Sequence, residues 1–121
     1  QAVYSIDNYD HLQGDMLELY KKLEKRILNL DSSVRLEFKK LYIAFKVQTN
    51  FVDIVPQKRR LRLSLNTEFN SIKDPKGICK DVSGLGRWGN GDIEVGLENS
   101  SELDYIMELI EQAFEQQVEG G

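Results

Sequence analysis

The chain has 121 residues, a length that corresponds to one domain. Hydrophobic residues make up 40% of it and charged residues 30%, which excludes collagen-like, disulfide-framework and fully disordered chains. The single cysteine, Cys79, cannot form an internal disulfide, and one cysteine with one histidine cannot supply four zinc ligands. We therefore expect a cytoplasmic protein without a metal site. No apolar run approaches the roughly 20 residues that cross a bilayer, so we expect no membrane association.

The net charge of −4 is distributed unevenly along the chain. Residues 1–33 carry a net −2, residues 34–66 a net +6 and residues 67–121 a net −8. The local field decides which partner docks where, and the total charge does not. The basic middle segment is therefore the most informative feature of the composition.

Two amphipathic helices are predicted, one near each terminus. Apolar residues recur at steps of three and four over residues 16–30, and again over residues 103–114. Asp15 is the expected N-cap of the first helix, and Ser101 with Asp104 resembles a capping box for the second. Residues 1–11 show no sustained period and are interpreted as a lead-in.

Alternating apolar and polar residues predict five strands, over residues 34–38, 41–47, 51–55, 61–66 and 93–97. The first four are separated by turns of about three residues, too short for a parallel crossover. They therefore form an antiparallel meander. Residues 77–82, after Pro75, are expected to hold one or two helical turns.

These elements predict a two-layer α+β domain, with both helices on one face of an antiparallel meander sheet. We assign residues 1–11 to a lead-in, residues 12–118 to the single domain and residues 119–121 to a tail. If the alternation holds, the other face of the sheet shows Tyr42, Lys46, Arg60, Arg62, Ser64 and Asn66.

A glycine-rich segment, residues 84–91, allows three interpretations. Residues 84–89 match the dinucleotide fingerprint G-x-G-x-x-G, but a strand follows where that site requires a helix. The glycines can instead supply positive φ and close backbone approach. In the third interpretation the loop displays Arg87 and Trp88 to bind an anion or stack on a base, although a lone tryptophan more often anchors its loop to the core.

Lys58, Arg59 and Arg60 form a basic run, and Arg62 lies one strand step beyond it. Arg60 and Arg62 fall on one side of a strand, about 7 Å apart, which suits phosphate contacts along a nucleic acid. Tyr42, Phe51 and Trp88 are candidate stacking surfaces, although Tyr42 and Phe51 are also good core residues. The alternative is that these cations are solvated or protect an edge strand.

The sequence offers no catalytic constellation. His11 is the only histidine and lies in the lead-in, and Cys79 has no neighbouring histidine, so it is interpreted as a small buried residue. A nuclease centre built from Asp53, Asp92, Glu94 and Lys46 would need an arrangement that spacing alone cannot establish. We expect no catalytic residues, no enzymatic activity and no cofactor.

Several stretches together resemble a bacterial domain of unknown function, family number 5655. The resemblance extends from about His11 to Gln116 and rests on residues 41–46, 50–54, 56–61, 81–92 and the helix containing Leu103, Asp104 and Tyr105. Members often carry the label of predicted transport protein, for which the residues give no physical support. The domain is similar to tails attached behind endonuclease-like and restriction-type proteins, which implies an accessory module without known catalytic residues. The first residue is Gln1 and not Met, which agrees with the expectation that the chain is a piece of a longer protein.

The leading hypothesis is a non-catalytic recognition domain that binds nucleic acid weakly or positions a fused or associated nuclease module. Its expected binding residues are Lys46, Lys58, Arg59, Arg60, Arg62, Arg87, Trp88 and Asn90. One alternative is a protein-interaction or oligomerisation module, in which a homo-oligomer pairs the basic middle with the acidic end. The other is a domain that binds a small anionic ligand beneath the glycine-rich loop.

Overall fold

The computed structural model describes residues 3–85 and 91–120. Two α-helices flank the sheet strands in the chain, α1 (Gly14–Leu28) and α2 (Leu103–Gly120). The six strands are β1 (Arg35–Phe38), β2 (Ile43–Lys46), β3 (Asn50–Pro56), β4 (Leu61–Leu65), β5 (Lys80–Asp81) and β6 (Ile93–Leu97). Short 3₁₀ turns occur at Ile6–Asn8, Phe69–Ser71 and Ser100–Glu102.

All six strands form one antiparallel sheet in the order β1-β2-β3-β4-β6-β5. The meander over β1 to β4 is as predicted. Beyond β4 the chain first reaches the outer edge as β5 and then returns as β6 between β5 and β4. The prediction of helical turns over residues 77–82 is wrong. Gly77 has a φ of +65°, which a right-handed helix does not allow, and the Cys79 N–H donates to the Asp74 carboxylate. Lys80 and Asp81 instead pair with β6.

The predicted two-layer α+β architecture is confirmed. Directly opposed residues share a face of the sheet, and one face carries the apolar rows Ile43–Ile54–Leu63–Val95 and Phe45–Val52–Leu65–Ile93. These residues form a single core cluster with the buried sides of α1 and α2. In the described part of the chain, neither helix combines the length and apolar character needed to cross a bilayer.

A β-bulge in β3 adapts the sheet to α2. Phe45 pairs with Val52 while Lys46 pairs with Asn50, so Phe51 is the extra residue. The Phe51 ring is fully buried and lies edge-on to Phe114 of α2, with 5.4 Å between the ring centroids. The bulge thus lets adjacent residues of β3 both join the core.

Three glutamines of α2 bind the backbone of loops that lead into or out of the sheet. Gln117 accepts from the Thr49 N–H at 3.1 Å and donates to the Asn50 carbonyl at 3.2 Å. Gln112 accepts from the N–H of Lys73 and donates to its carbonyl, and Gln116 donates to the Ser71 carbonyl. Since each amide satisfies backbone groups outside the strand ladders, α2 fixes these loops in place.

The helix starts differ from their predicted caps. Gln13 is the N-cap of α1 without a side-chain hydrogen bond, and Asp15 lies in the first turn. The capping box before α2 is formed by Asn99 and Glu102, two residues earlier than expected, because a 3₁₀ turn precedes the helix. An ion pair of 2.7 Å between Arg26 and Asp104 joins the two helices.

The segment before α1 packs against the sheet through Tyr9. Its side chain is buried, and its ring lies 6.2 Å from that of Phe38 between centroids. The Tyr9 hydroxyl donates to the Lys39 carbonyl and lies 3.0 Å from that of Tyr42. Burial raises the pKa of this hydroxyl to about 12. The N-terminal segment is thereby tied to the turn between β1 and β2.

Replacing Gly91 by Ala tests the close approach between the start of the β6 segment and the end of β4. Gly91 has a φ of +153°, and a Cβ there would lie 2.1 Å from the Leu65 carbonyl oxygen. We expect Gly91→Ala to lower the free energy of unfolding by at least about 2 kcal/mol, measured by urea denaturation.

Gly77→Ala is the matched control, since Gly77 has a φ of +65° but a Cβ there would meet no described atom within 4 Å. It should cost only the strain of a positive φ, about 1 kcal/mol. Equal losses for the two variants would contradict a specific overlap at Gly91.

Candidate functional site

The face of the sheet opposite the helices, here the outer face, carries most of the charged residues of the strands. Arg62 of β4 lies opposite Val55 and Gly96, and Ser64 lies opposite Asp53 and Glu94. Among the described residues its polar members on the strands are Arg35, Glu37, Lys46, Asn50, Asp53, Arg62, Ser64, Lys80 and Glu94. Three of the expected binding residues therefore lie on this face: Arg62, Arg60, which reaches over from the residue before β4, and Lys46, which lies two strands away on the other side of the Ala44–Asp53–Ser64 row.

Arg60 is held flat against the outer face. Its Nε donates to Gln57 at 2.8 Å, and its Nη2 lies 3.5 Å from the Glu94 carboxylate. Gly96 leaves room for the guanidinium, because a Cβ there would lie 2.9 Å from the Arg60 Nη1. Glu94 is buried, so water screens its carboxylate little. This carboxylate therefore offsets the positive charge of Arg60.

Lys46 is likewise offset by a carboxylate. Glu37 accepts hydrogen bonds from Lys46 and, at 3.0 Å, from Lys39. These two ammonium groups, Lys46 first, hold the pKa of Glu37 below its usual value. The cations of the outer face therefore do not form one uncompensated patch.

Lys58 and Arg59 lie at the exposed tip between β3 and β4. The Gln57 N–H donates to the Arg60 carbonyl at 2.9 Å and closes this turn. Within residues 3–85 and 91–120, neither Lys58 nor Arg59 forms an ion pair. Arg62 forms none there either, and its buried Nε has no hydrogen-bond partner among these residues. Lys58 and Arg59 are therefore available to an anion, whereas Arg62 is half-buried.

Arg87, Trp88 and Asn90 lie outside the described residues, as does the centre of the glycine-rich loop. Arg35 and Lys40 are exposed cations that the sequence did not predict as binding residues. Arg35 lies at the start of β1, and Lys40 lies in the turn between β1 and β2. The Lys39-Lys40 pair was visible in the sequence. Whether this pair lies at the same end of the sheet as Lys58 and Arg59 depends on the directions of the strands.

The carboxylates of the hypothetical nuclease centre are only partly brought together. Asp53 and Glu94 lie in one row of the outer face, but Ser64 separates them, which places their Cα atoms about 10 Å apart. Asp53, 1% exposed, accepts a hydrogen bond of 2.8 Å from Asn50. In the described ranges no three histidines, cysteines or carboxylates are close enough to hold a metal ion. The arrangement gives no support to a metal-dependent centre.

Acidic residues concentrate in the helical layer. The sequence of α2 contains five carboxylates and no lysine or arginine: Asp104, Glu108, Glu111, Glu115 and Glu119. This layer lies on the side of the sheet away from the outer face. The carboxylates of α2 therefore lie in a different layer from the outer face, whereas Glu98 and Glu102, which precede α2, follow β6 at the same end of the sheet as the tip carrying Lys58 and Arg59.

Cys79 is buried, as expected from its lack of a neighbouring histidine. Burial, and after it the nearby Asp74 carboxylate, raises the pKa of the thiol to about 12. Asp74 accepts hydrogen bonds from the Tyr105 hydroxyl and the Cys79 N–H. Although burial acts to raise the pKa of Asp74, these hydrogen bonds keep it below its usual value. The carboxylate stays charged and disfavours a thiolate beside it.

Comparison with known proteins identifies relatives without an assigned activity. The family model described as "Domain of unknown function (DUF5655)" matches residues 7–117. An uncharacterized protein of Haemophilus influenzae is 43% identical over 107 residues, which cover 88% of this chain and 34% of that protein. The chain thus spans about a third of the length of this relative. No solved structure matches the chain.

Thiol reactivity tests the environment of Cys79. With a pKa of about 12, only about one thiol in ten thousand is ionised near pH 8. We expect the native protein to react with a disulfide reagent at least about 100-fold more slowly than the protein unfolded in urea. Equal rates in the two states would show that the thiol is neither buried nor shifted.

Proposed function

We propose, from the premise that the chain belongs to the DUF5655 family, that it is a non-catalytic recognition domain. In this proposal it binds nucleic acid weakly, with Lys58 and Arg59 as its main contacts and Arg62 beside them. The observation that carries the proposal is the tip between β3 and β4, where both cations are exposed and have no ion pair in the described chain.

The charge distribution supports contact with a polyanion from one side only. The cations of the tip project from the sheet, while the carboxylates of α2 lie in the other layer. A phosphate backbone that approaches the tip from the outer face thus stays on the side away from the carboxylates along α2. The net charge of −4 does not oppose this approach, since the local field governs it.

Weak affinity follows from the small number of available cations. Glu37 and Glu94 offset the charge of Lys46 and Arg60, so those residues contribute less to phosphate binding than Lys58 and Arg59. Non-specific binding typically has a Kd of about 10⁻⁴ to 10⁻⁶ M near physiological salt, and with only two or three phosphate contacts we expect this domain at the weak end of that range.

An accessory role extends the proposal. The matching region makes up 34% of the H. influenzae relative, so in that protein further chain accompanies the domain. The resemblance to tails of endonuclease-like and restriction-type proteins leads us to propose a fused or associated nuclease module as the partner, in the cytoplasm. The domain would hold the nuclease on its substrate through phosphate contacts.

Self-association is the second candidate function. The observation that favours it is the complementarity between the basic tip of one copy and the acidic α2 of another. Such a head-to-tail contact uses two different surfaces and builds chains or rings. Light scattering at low and high salt distinguishes it, since a monomeric mass under both conditions contradicts self-association.

Removal of the tip cations tests nucleic-acid binding. By fluorescence anisotropy at about 50 mM salt, we expect Lys58→Ala/Arg59→Ala to weaken binding to a labelled DNA duplex about 10-fold or more. Because each phosphate contact adds about one unit to the salt dependence, the slope of log K against log salt should fall by about two.

Lys21→Ala/Lys22→Ala is the matched control. It removes two adjacent exposed cations from α1 and changes the net charge equally, and alanine maintains the helix. Its affinity should stay within about twofold of the unaltered protein, because α1 lies outside the proposed surface. No binding by the unaltered protein, or equal losses in both double variants, would contradict the proposal.

A further inference from the structure

We propose that the turn between β1 and β2 is a second contact surface for nucleic acid, and that the two turns together recognise duplex DNA. The inference rests on the proposed function and adds Lys40 to its contacts. It follows from strand direction: β1, β2, β3 and β4 are successively antiparallel, so their first and third turns lie at the same end of the sheet. We call this end the basic edge, comprising Lys39, Lys40, Lys58 and Arg59.

Sheet register gives the separation of the two turns. They lie two strand spacings apart, about 10 Å across the sheet. Phe38, Ile43 and Ile54 share one row, and β3 continues to Pro56 before its turn. The second turn therefore extends roughly two residues, or about 6 Å, further. The two tips are about 12 Å apart, close to the width of the major groove of B-DNA.

Both turns are fixed by hydrogen bonds, so this separation is built into the fold. In the first turn, Lys39 N–H donates to the Tyr42 carbonyl at 2.9 Å, and the buried Tyr9 hydroxyl donates to the Lys39 carbonyl. In the second, Gln57 N–H donates to the Arg60 carbonyl, and the Arg60 Nε donates back to the Gln57 side chain. Rigid tips lose little conformational freedom on binding.

The charges at this end favour Lys40 as the contact of the first turn. Glu37 engages Lys39 at 3.0 Å, whereas Lys40 is exposed and forms no ion pair in the described residues. Glu98 and Glu102 follow β6 at the same end, beyond β4. These carboxylates border the basic edge on one side, so a duplex is directed toward the turns of β1 to β4.

Duplex DNA is the ligand that can contact both turns at once. Backbones on the two sides of a groove present phosphates at the separation of the two tips. A single strand has no such fixed spacing and can satisfy one turn without the other. Loss of Lys40 should therefore weaken duplex binding selectively.

The test compares Lys40→Ala with Lys21→Ala, the latter removing one exposed cation from α1. Anisotropy is measured on a labelled 20-base-pair duplex and on one of its strands, from about 50 to 200 mM salt. We expect Lys40→Ala to weaken duplex binding about 3- to 10-fold and to lower the salt slope by about one, with less than a twofold effect on the single strand. Lys21→Ala should match the unaltered protein on both.

The outcomes separate this inference from the proposed function. If the unaltered protein binds DNA and Lys58→Ala/Arg59→Ala weakens it while Lys40→Ala does not, the second contact is wrong and the proposed function stands. Equal losses on duplex and single strand for Lys40→Ala overturn the recognition of a groove. Absence of any salt-dependent DNA binding overturns both.

Discussion

The packing of α2 against β3 is the contact on which the rest of the fold depends. One extra residue in β3 turns the buried Phe51 toward Phe114, and the edge-on aromatic pair joins the start of β3 to α2. Around it, the amides of Gln112, Gln116 and Gln117 bind loop backbone that the strands leave unpaired. A helix that is apolar on one side and rich in amides along its border thus sets both the core and the positions of the connecting loops.

The two layers also separate the acidic residues of α2 from the basic residues of the strands. Helix α2 presents carboxylates to solvent, and the strands place most cations on the outer face or at the turns. On the outer face, Glu37 and Glu94 hold Lys46 and Arg60 in defined positions, so these cations serve the surface of the sheet itself. At the turns such carboxylates do not engage Lys40, Lys58 or Arg59 within the described chain. Local compensation, and not the count of basic residues, therefore distinguishes candidate contacts from structural ones.

Periodicity was sufficient to predict the helices, five of the six strands and the α+β class, because each long element must bury one side. It could not predict β5, since Lys80 and Asp81 are strand residues only through their pairing with β6. The bulge at Phe51 was equally hidden, because it depends on which residues of β2 lie opposite. For the candidate site, the exposed tip at Lys58 and Arg59 was predictable, whereas the neutralisation of Arg60 by Glu94 requires the register of β4 and β6. The shared end of the first and third turns follows from any meander and could have drawn attention to Lys40.

The hydrogen bond from Tyr9 to the turn between β1 and β2 bears on how far this chain can be shortened from its N-terminal side. A boundary drawn at the first regular helix would begin at Gly14 and discard the tyrosine that ties down this turn. Such a piece would also lose Leu12, a second buried residue of the core, so we expect the turn between β1 and β2 to become less ordered. The family match begins at residue 7 and retains that tyrosine. Expression boundaries chosen for functional work should do the same.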